Sequence, residues 1–151
     1  MNQDRQTENR KDRISLVEIQ NLWLGIDILK SKEIVPLPEV TPVPNTRDYV
    51  LGVFNLRGEI YSLVDISPIL GLEKKTIQPE DMVILLKARD MTIGILADRI
   101  HGVRNIENAK IKHTHGSVSK KMEPFISGII SEKAETIYLL DVDHLFSSHL
   151  I

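Results

Sequence analysis

Leu51–Leu70, LGVFNLRGEIYSLVDISPIL, lies without gaps on Ser127–Phe146, SGIISEKAETIYLLDVDHLF. Gly52 meets Gly128, Leu63 meets Leu139 and Asp65 meets Asp141. Each copy reads as an apolar run, a short polar break, a second apolar run and an acidic residue. Two apolar runs around a short break predict a β-hairpin. The acidic residue predicts the cap of a helical turn. Two explanations stay open: any two strand–turn–strand–helix units look alike, or the chain is a duplicated small barrel. Small barrels bury little surface alone, so the second explanation requires a shared apolar interface. A junction of that kind is a natural binding groove.

Outward from the repeat, the same short-strand signals recur. Leu22, Leu24, Ile26 and Ile28 alternate with Trp23, Gly25 and Asp27, and Met91, Ile93, Ile95 and Ala97 alternate with Thr92, Gly94 and Leu96. Period-two alternation predicts half-buried strands. Met82–Leu86 is continuously apolar, which suits a strand buried on both faces. Pro36, Pro38, Pro42 and Pro44 predict extended connecting chain, because proline fixes φ and removes a donor. Asp65-Ile66-Ser67-Pro68 predicts a helix of one or two turns, ended by Gly71. Asp143 is expected to cap a last short helix through Leu150, and the Lys- and His-rich stretch 109–123 reads as a long loop. About ten short strands with turn signals between them make the chain all-β, a barrel or a sandwich. Residues 1–13 lack apolar residues after Met1 and are expected to be a disordered tail.

Composition narrows the function classes. Of 151 residues, 42% are hydrophobic and 26% charged, ordinary values for a soluble domain. A formal net charge of −2 supplies no attraction to nucleic acid. Aromatics at 5% are few for the stacking platforms that single-strand-binding barrels use. That class, a small barrel binding single-stranded nucleic acid, is the alternative function. The absence of cysteine excludes disulfides and thiolate metal sites. No apolar run approaches about 18 residues, so no membrane insertion is expected and the default compartment is the cytoplasm.

Catalytic patterns are weak. His113 and His115 would share a face in a strand and offer a metal two imidazoles. They stand in a polar stretch without an acidic cluster, and a solvated loop explains them as well. Asp141-Val142-Asp143 offers a hard cation two carboxylates, but helix capping accounts for it. No nucleophile–base pair, phosphate loop or zinc-protease motif is present. The pairs Lys74-Lys75 and Lys120-Lys121 read as solvated faces. No catalytic residue, metal or cofactor is expected. Arg57, between Leu56 and Gly58 at a predicted bend, is either an interface hot spot or half of a surface ion pair. Gly58 provides positive φ or a close approach.

Gly52-Val53-Phe54-Asn55-Leu56-Arg57-Gly58 is similar to the G-V-x-N-L-R-G signature of the CheW family of chemotaxis coupling proteins. Gly25-Ile26-Asp27-Ile28, Lys32-Glu33-Ile34, Val43-Pro44, Ile60 through Asp65, Gly94-Ile95-Leu96-Ala97-Asp98 and Leu139-Leu140-Asp141 fall where that pattern places them. The resemblance covers roughly residues 14–146. Tyr61-Ser62 departs from the family's usual Val-Pro.

The resemblance implies two SH3-like five-stranded β-barrels around a shared hydrophobic core, with a few short helices. The expected layout is one domain over 14–151, with barrels near 20–75 and 81–147. The strand near 14–19 is open to either barrel. The implied function is non-enzymatic: an adaptor between the cytoplasmic hairpin tip of a methyl-accepting chemoreceptor and the regulatory domain of a CheA-type histidine kinase. It would be cytoplasmic and recruited to membrane-associated receptor arrays. The implied partner-binding residues are Glu33, Gly52, Asn55, Leu56, Arg57, Gly58 and Val103. A pair between Glu33 and Arg57, buried or semi-buried, is expected to fix the arginine's rotamer.

Overall fold

The computed structural model describes residues 12–132 and 134–150. The expected N-terminal tail lies, for residues 1–11, outside the described residues. Ten strands follow in order: β1 (Arg13–Ile19), β2 (Leu22–Asp27), β3 (Ser31–Pro36), β4 (Val50–Leu56), β5 (Glu59–Val64), β6 (Met82–Ala88), β7 (Met91–Ala97), β8 (Arg99–Asn105), β9 (Ile126–Glu132) and β10 (Glu135–Leu140). Helix is sparse: a 3-10 turn at Glu123–Phe125, α1 (Val142–Leu145) and a π turn at Phe146–Leu150.

The strands form two five-stranded sheets, ordered β8-β1-β2-β10-β9 and β3-β6-β7-β5-β4. Each closes on itself through the chain that continues its edge strand. Beyond β3, Thr41 exchanges backbone hydrogen bonds of 2.8 and 2.9 Å with Val53 of β4. Beyond β8, Lys112 exchanges bonds of 2.9 and 3.0 Å with Ile129 of β9. Closure removes the open edges that would otherwise invite aggregation.

The register shows that the sequence repeat is a duplicated barrel. Leu63 stands opposite Gly52 on one side and Gly94 on the other. Leu139 stands opposite Gly128 and Gly25 in the same way. The division of the chain differs from the expected 20–75 and 81–147. The repeats are β1–β5 and β6–β10, yet each barrel combines the first hairpin of one repeat with the last three strands of the other. β1 and β2 belong with β8–β10, and β6 and β7 belong with β3–β5. Both first hairpins carry the same alternation, and local pattern does not say which copy each one joins.

The alternation of side chains then builds three cores. Val83, Leu85 and Leu96 fill one barrel with Phe54 and Leu63. Ile14, Leu16, Ile130 and Ile137 fill the other. Val17, Ile19, Leu24 and Ile26 from one sheet meet Ile84, Leu86, Ile93 and Ile95 from the other in a shared core. β6 is buried on both faces, as its continuous apolar run predicts.

The short helical pieces need correction. Residues 66–72 make overlapping turns rather than a regular helix, with Leu70 N donating to Ile66 O at 3.1 Å, Leu72 N to Ser67 O at 2.9 Å, and Gly71 ending them at φ 84°. The last helix is capped by Asp141, whose carboxylate accepts from His144 N at 3.0 Å. Asp143 lies inside it and pairs with Lys30 at 3.0 Å. Lys75 is not on a solvated face: it is buried, with its ammonium 2.7 Å from Asp81 and 3.1 Å from Asp98. Burial alone would lower its pKa, but hydrogen bonds to Asp81 and Asp98 outweigh this and hold the ammonium above its usual 10.5. A raised folded-state value stabilises the fold fully below the unfolded value. That contribution is lost as pH climbs through the folded value. Alkaline unfolding followed by circular dichroism is expected to set in above about pH 10.5.

Candidate functional site: the Asn55–Gly58 hairpin tip

Leu56 pairs with Glu59 across β4 and β5, so Arg57 and Gly58 form a two-residue loop. Both have positive φ, 50° and 87°. This is the φ pattern of a type I′ turn, whose twist matches that of the strands it joins. Gly58 takes the conformation freely; a left-handed arginine costs about 1 kcal/mol. Asn55 holds the turn by accepting from Gly58 N at 3.0 Å. A Cβ at Gly58 would touch nothing within 4 Å. Gly58→Ala is therefore expected to cost only the backbone strain, about 1 kcal/mol, read as a small shift in the urea midpoint with the slope unchanged.

Arg57 reaches across to β3. Its Nη1 donates to both Glu33 oxygens, at 2.9 and 3.1 Å, and its Nη2 donates to Oε1. The pair expected from the sequence is formed, but it is not buried on the arginine's side. The Arg57 side chain is 64% exposed and that of Glu33 31%. Water screens such a pair to about 0.2–1 kcal/mol. Its effect is geometric: a bidentate clamp fixes where the guanidinium sits. Arg57 has five N–H donors, and Glu33 does not occupy them all.

Around the clamp the surface is mixed. Ile60 follows the turn with 63% of its surface exposed. It borders a groove of about 380 Å³ lined also by Glu39, Thr41, Val53, Phe54 and Asn55. Tyr61 donates to Glu59 at 2.5 Å and lies 5.8 Å beneath the Lys32 ammonium. The hydrogen bond to Glu59, with some desolvation and the charges of Glu59 and Glu33, holds the Tyr61 phenol above its usual value.

The other expected residues are distributed differently. Leu56 ends β4 and is partly buried among the side chains of the β3–β7 barrel. Gly52 lies buried in the wall of the same barrel, where the chain crosses closely. A Cβ there would collide with Thr41 O and come within 2.9 Å of Thr41 C, and φ is 152°. Val103 stands on β8 of the other barrel, 58% exposed. It follows Gly102, at φ 90°, where the β1–β8 register shifts. No described contact joins Val103 to the Glu33–Arg57 clamp.

The duplication shows what the sequence reading missed. Val103 pairs with Ser15, and Ile34 pairs with Ile84 at the matching place on β3. Both are exposed, so each barrel offers one apolar residue from the same strand position. The second barrel has an ion pair near the same turn, but from other positions of the repeat. In the second barrel, Arg104 of β8 reaches Glu135 at 3.3 Å and Glu132 at 3.9 Å beside the β9–β10 turn. Lys133, aligned with Arg57, lies outside the described residues. Ile34 and Ile60 were legible only as strand residues, because alternation does not say which apolar residues stay uncovered.

Among the described residues no group of three His, Cys, Asp or Glu side chains is arranged to hold a metal. His115 lies 3.2 Å from Glu123 with its side chain 94% exposed. No helix among the described residues is long and apolar enough to cross a membrane.

Comparison with known proteins agrees with this arrangement. The chain is 31% identical over 128 residues to the chemotaxis protein CheW of Thermotoga maritima, covering 85% of this chain and 83% of that one. It is 30% identical to the chemotaxis protein CheW of Treponema pallidum, covering 82% and 75%. The crystal structure of the scaffolding protein TtCheW from Thermoanaerobacter tengcongensis has the same fold, with a TM-score of 0.78 at 24% identity over 90% of this chain and 92% of that one. The model of the CheW-like domain matches residues 13–150, and the chain belongs to that family.

Proposed function

We propose that this chain is a chemotaxis adaptor that joins the cytoplasmic hairpin tip of a chemoreceptor to the regulatory domain of a CheA-type histidine kinase. It acts by presenting surface, in the cytoplasm beside membrane-bound receptor arrays. The observation that carries the reading is Arg57: a left-handed, exposed arginine held in place by Glu33. The turn itself would be served at lower strain by asparagine. A clamped guanidinium at the tip is better accounted for by recognition outside the chain, where arginine forks are common hot spots. Ile60 and the groove beside it add apolar surface to the same patch. Val103 and Ile34 supply the apolar anchors that an amphipathic receptor helix would meet.

The test is binding of the purified chain to a receptor hairpin fragment and, separately, to the isolated kinase regulatory domain. Binding to both supports the adaptor. Binding to neither by a folded sample sinks it, and salt-dependent binding to an oligonucleotide instead would favour the nucleic-acid reading.

A further inference from the structure

The chain passes between the barrels at two places. Residues 28–30 lead from β2 to β3, and Asp98 alone leads from β7 to β8. Both crossings are tied to both barrels. At the first, Ile28 N donates to Arg13 O of β1 at 3.1 Å and Lys87 N of β6 donates to Lys30 O at 2.8 Å, and Lys30 adds an exposed, weak pair with Asp143 at 3.0 Å. At the second, Asp98, 31% exposed, meets the buried Lys75–Asp81 pair.

Lys75 anchors that second crossing. Its backbone N–H donates to Asp65 at 2.8 Å, just beyond β5. Its ammonium has three protons and three acceptors: Asp81 Oδ2 at 2.7 Å, Asp98 Oδ1 at 3.1 Å and Thr76 O at 3.1 Å. Asp98 turns its second oxygen to Gln20 N, in the β1–β2 turn of the opposite barrel, at 2.7 Å. Gln20 also donates through its side chain to Glu73 O, two residues before Lys75, at 2.6 Å. The 73–81 loop is thereby fixed to one barrel through Asp65 and Asp81, and to the other through Asp98 and Gln20. A polar network with a buried centre of this kind fixes geometry more than it adds stability.

We propose that Lys75 and Asp98 are positioning residues that set the angle between the barrels and so the spacing of the partner-binding surface. The inference rests on the adaptor reading, in which that surface draws on both barrels: Glu33, Arg57 and Ile34 from one, Val103 from the other. A partner that touches both barrels binds only the fraction of molecules holding them at the right angle. The shared core holds the two sheets face to face, and the Lys75–Asp98 clamp adds a directional tie that apolar packing does not supply.

The absence of cysteine allows a clean distance measurement. Spin labels at Lys87→Cys on β6 and Ser127→Cys on β9, both exposed, report one barrel each. The variants are Asp98→Ala, which leaves Lys75 with Asp81 and Thr76, and Lys75→Met. Asp98→Ala is expected to fold, to broaden the inter-barrel distance distribution and to weaken receptor-fragment binding about tenfold, as a tenfold smaller competent population requires. Lys75→Met is expected to do the same or to unfold, and Asp98→Ala decides the matter if it unfolds. An unchanged distance distribution in folded Asp98→Ala overturns the proposal. So does a broadened distribution with wild-type binding of both partners. If the wild-type chain binds neither partner, the adaptor reading fails, and the label distances still decide whether the clamp sets the angle.

Discussion

Arg57→Ala is expected to leave the fold intact and to abolish most of the coupling to the kinase. The exposed Glu33 pair contributes about 0.2–1 kcal/mol, so the unfolding midpoint should move little. Alanine inherits the same positive φ, so the turn's strain is not relieved. Binding is a different matter. Truncating an arginine hot spot costs about 2 kcal/mol or more, roughly a thirtyfold loss in affinity. Calorimetric titration with the kinase regulatory domain reads it directly, alongside thermal melts of the same samples. Arg57→Lys should remain impaired, because a lysine cannot make the two-pronged contact. Glu33→Ala separates two roles for the arginine. If Glu33 only steers the guanidinium, its loss should weaken binding less than Arg57→Ala does. Global unfolding of Arg57→Ala would instead make the residue structural and remove the observation on which the adaptor reading rests.

Gly52→Ala is expected to give the largest loss of stability among the expected site residues. The added methyl meets the Thr41 carbonyl, which is backbone and is itself bonded to Val53. It cannot swing aside like the end of a flexible side chain. Forced overpacking costs about 1–3 kcal/mol, and the unfavourable φ adds about 1–2 kcal/mol. Together about 2–5 kcal/mol is lost, which lowers the melting temperature by roughly 10 °C in a domain of this size. Weaker partner binding in this variant should track its unfolded fraction and recover on cooling. Loss of binding in a fully folded Gly52→Ala sample would show that the glycine also faces a partner.

Gly52 and Arg57 illustrate two kinds of legibility. Both stand in one short motif, and the sequence marks them equally. The structure separates them. Gly52 is needed where the chain closes a barrel on itself, whereas Arg57 presents a charge at an exposed tip. The close pass of Thr41 over Gly52 joins residues eleven positions apart through a proline-rich connection that carries no period of its own. Nothing local announces that approach.

The sequence by itself determined the strands, most of the turns and the family, and it left the duplication as one of two readings. These depend on alternation, turn chemistry and motif, which are local properties of the chain. Only the tertiary structure decided how the duplicated halves exchange hairpins, since alternation marks a hairpin's apolar face but not the sheet it joins. It also decided the fate of Lys75. A lysine beside another lysine reads as solvated until Asp81 and Asp98 fold over it, and their positions are set by both barrels together. The Asn55–Gly58 turn shows both contributions in one place. Its residues dictate a tight left-handed bend, but the clamp that fixes Arg57 exists only because β3 lies beside that bend in the folded barrel.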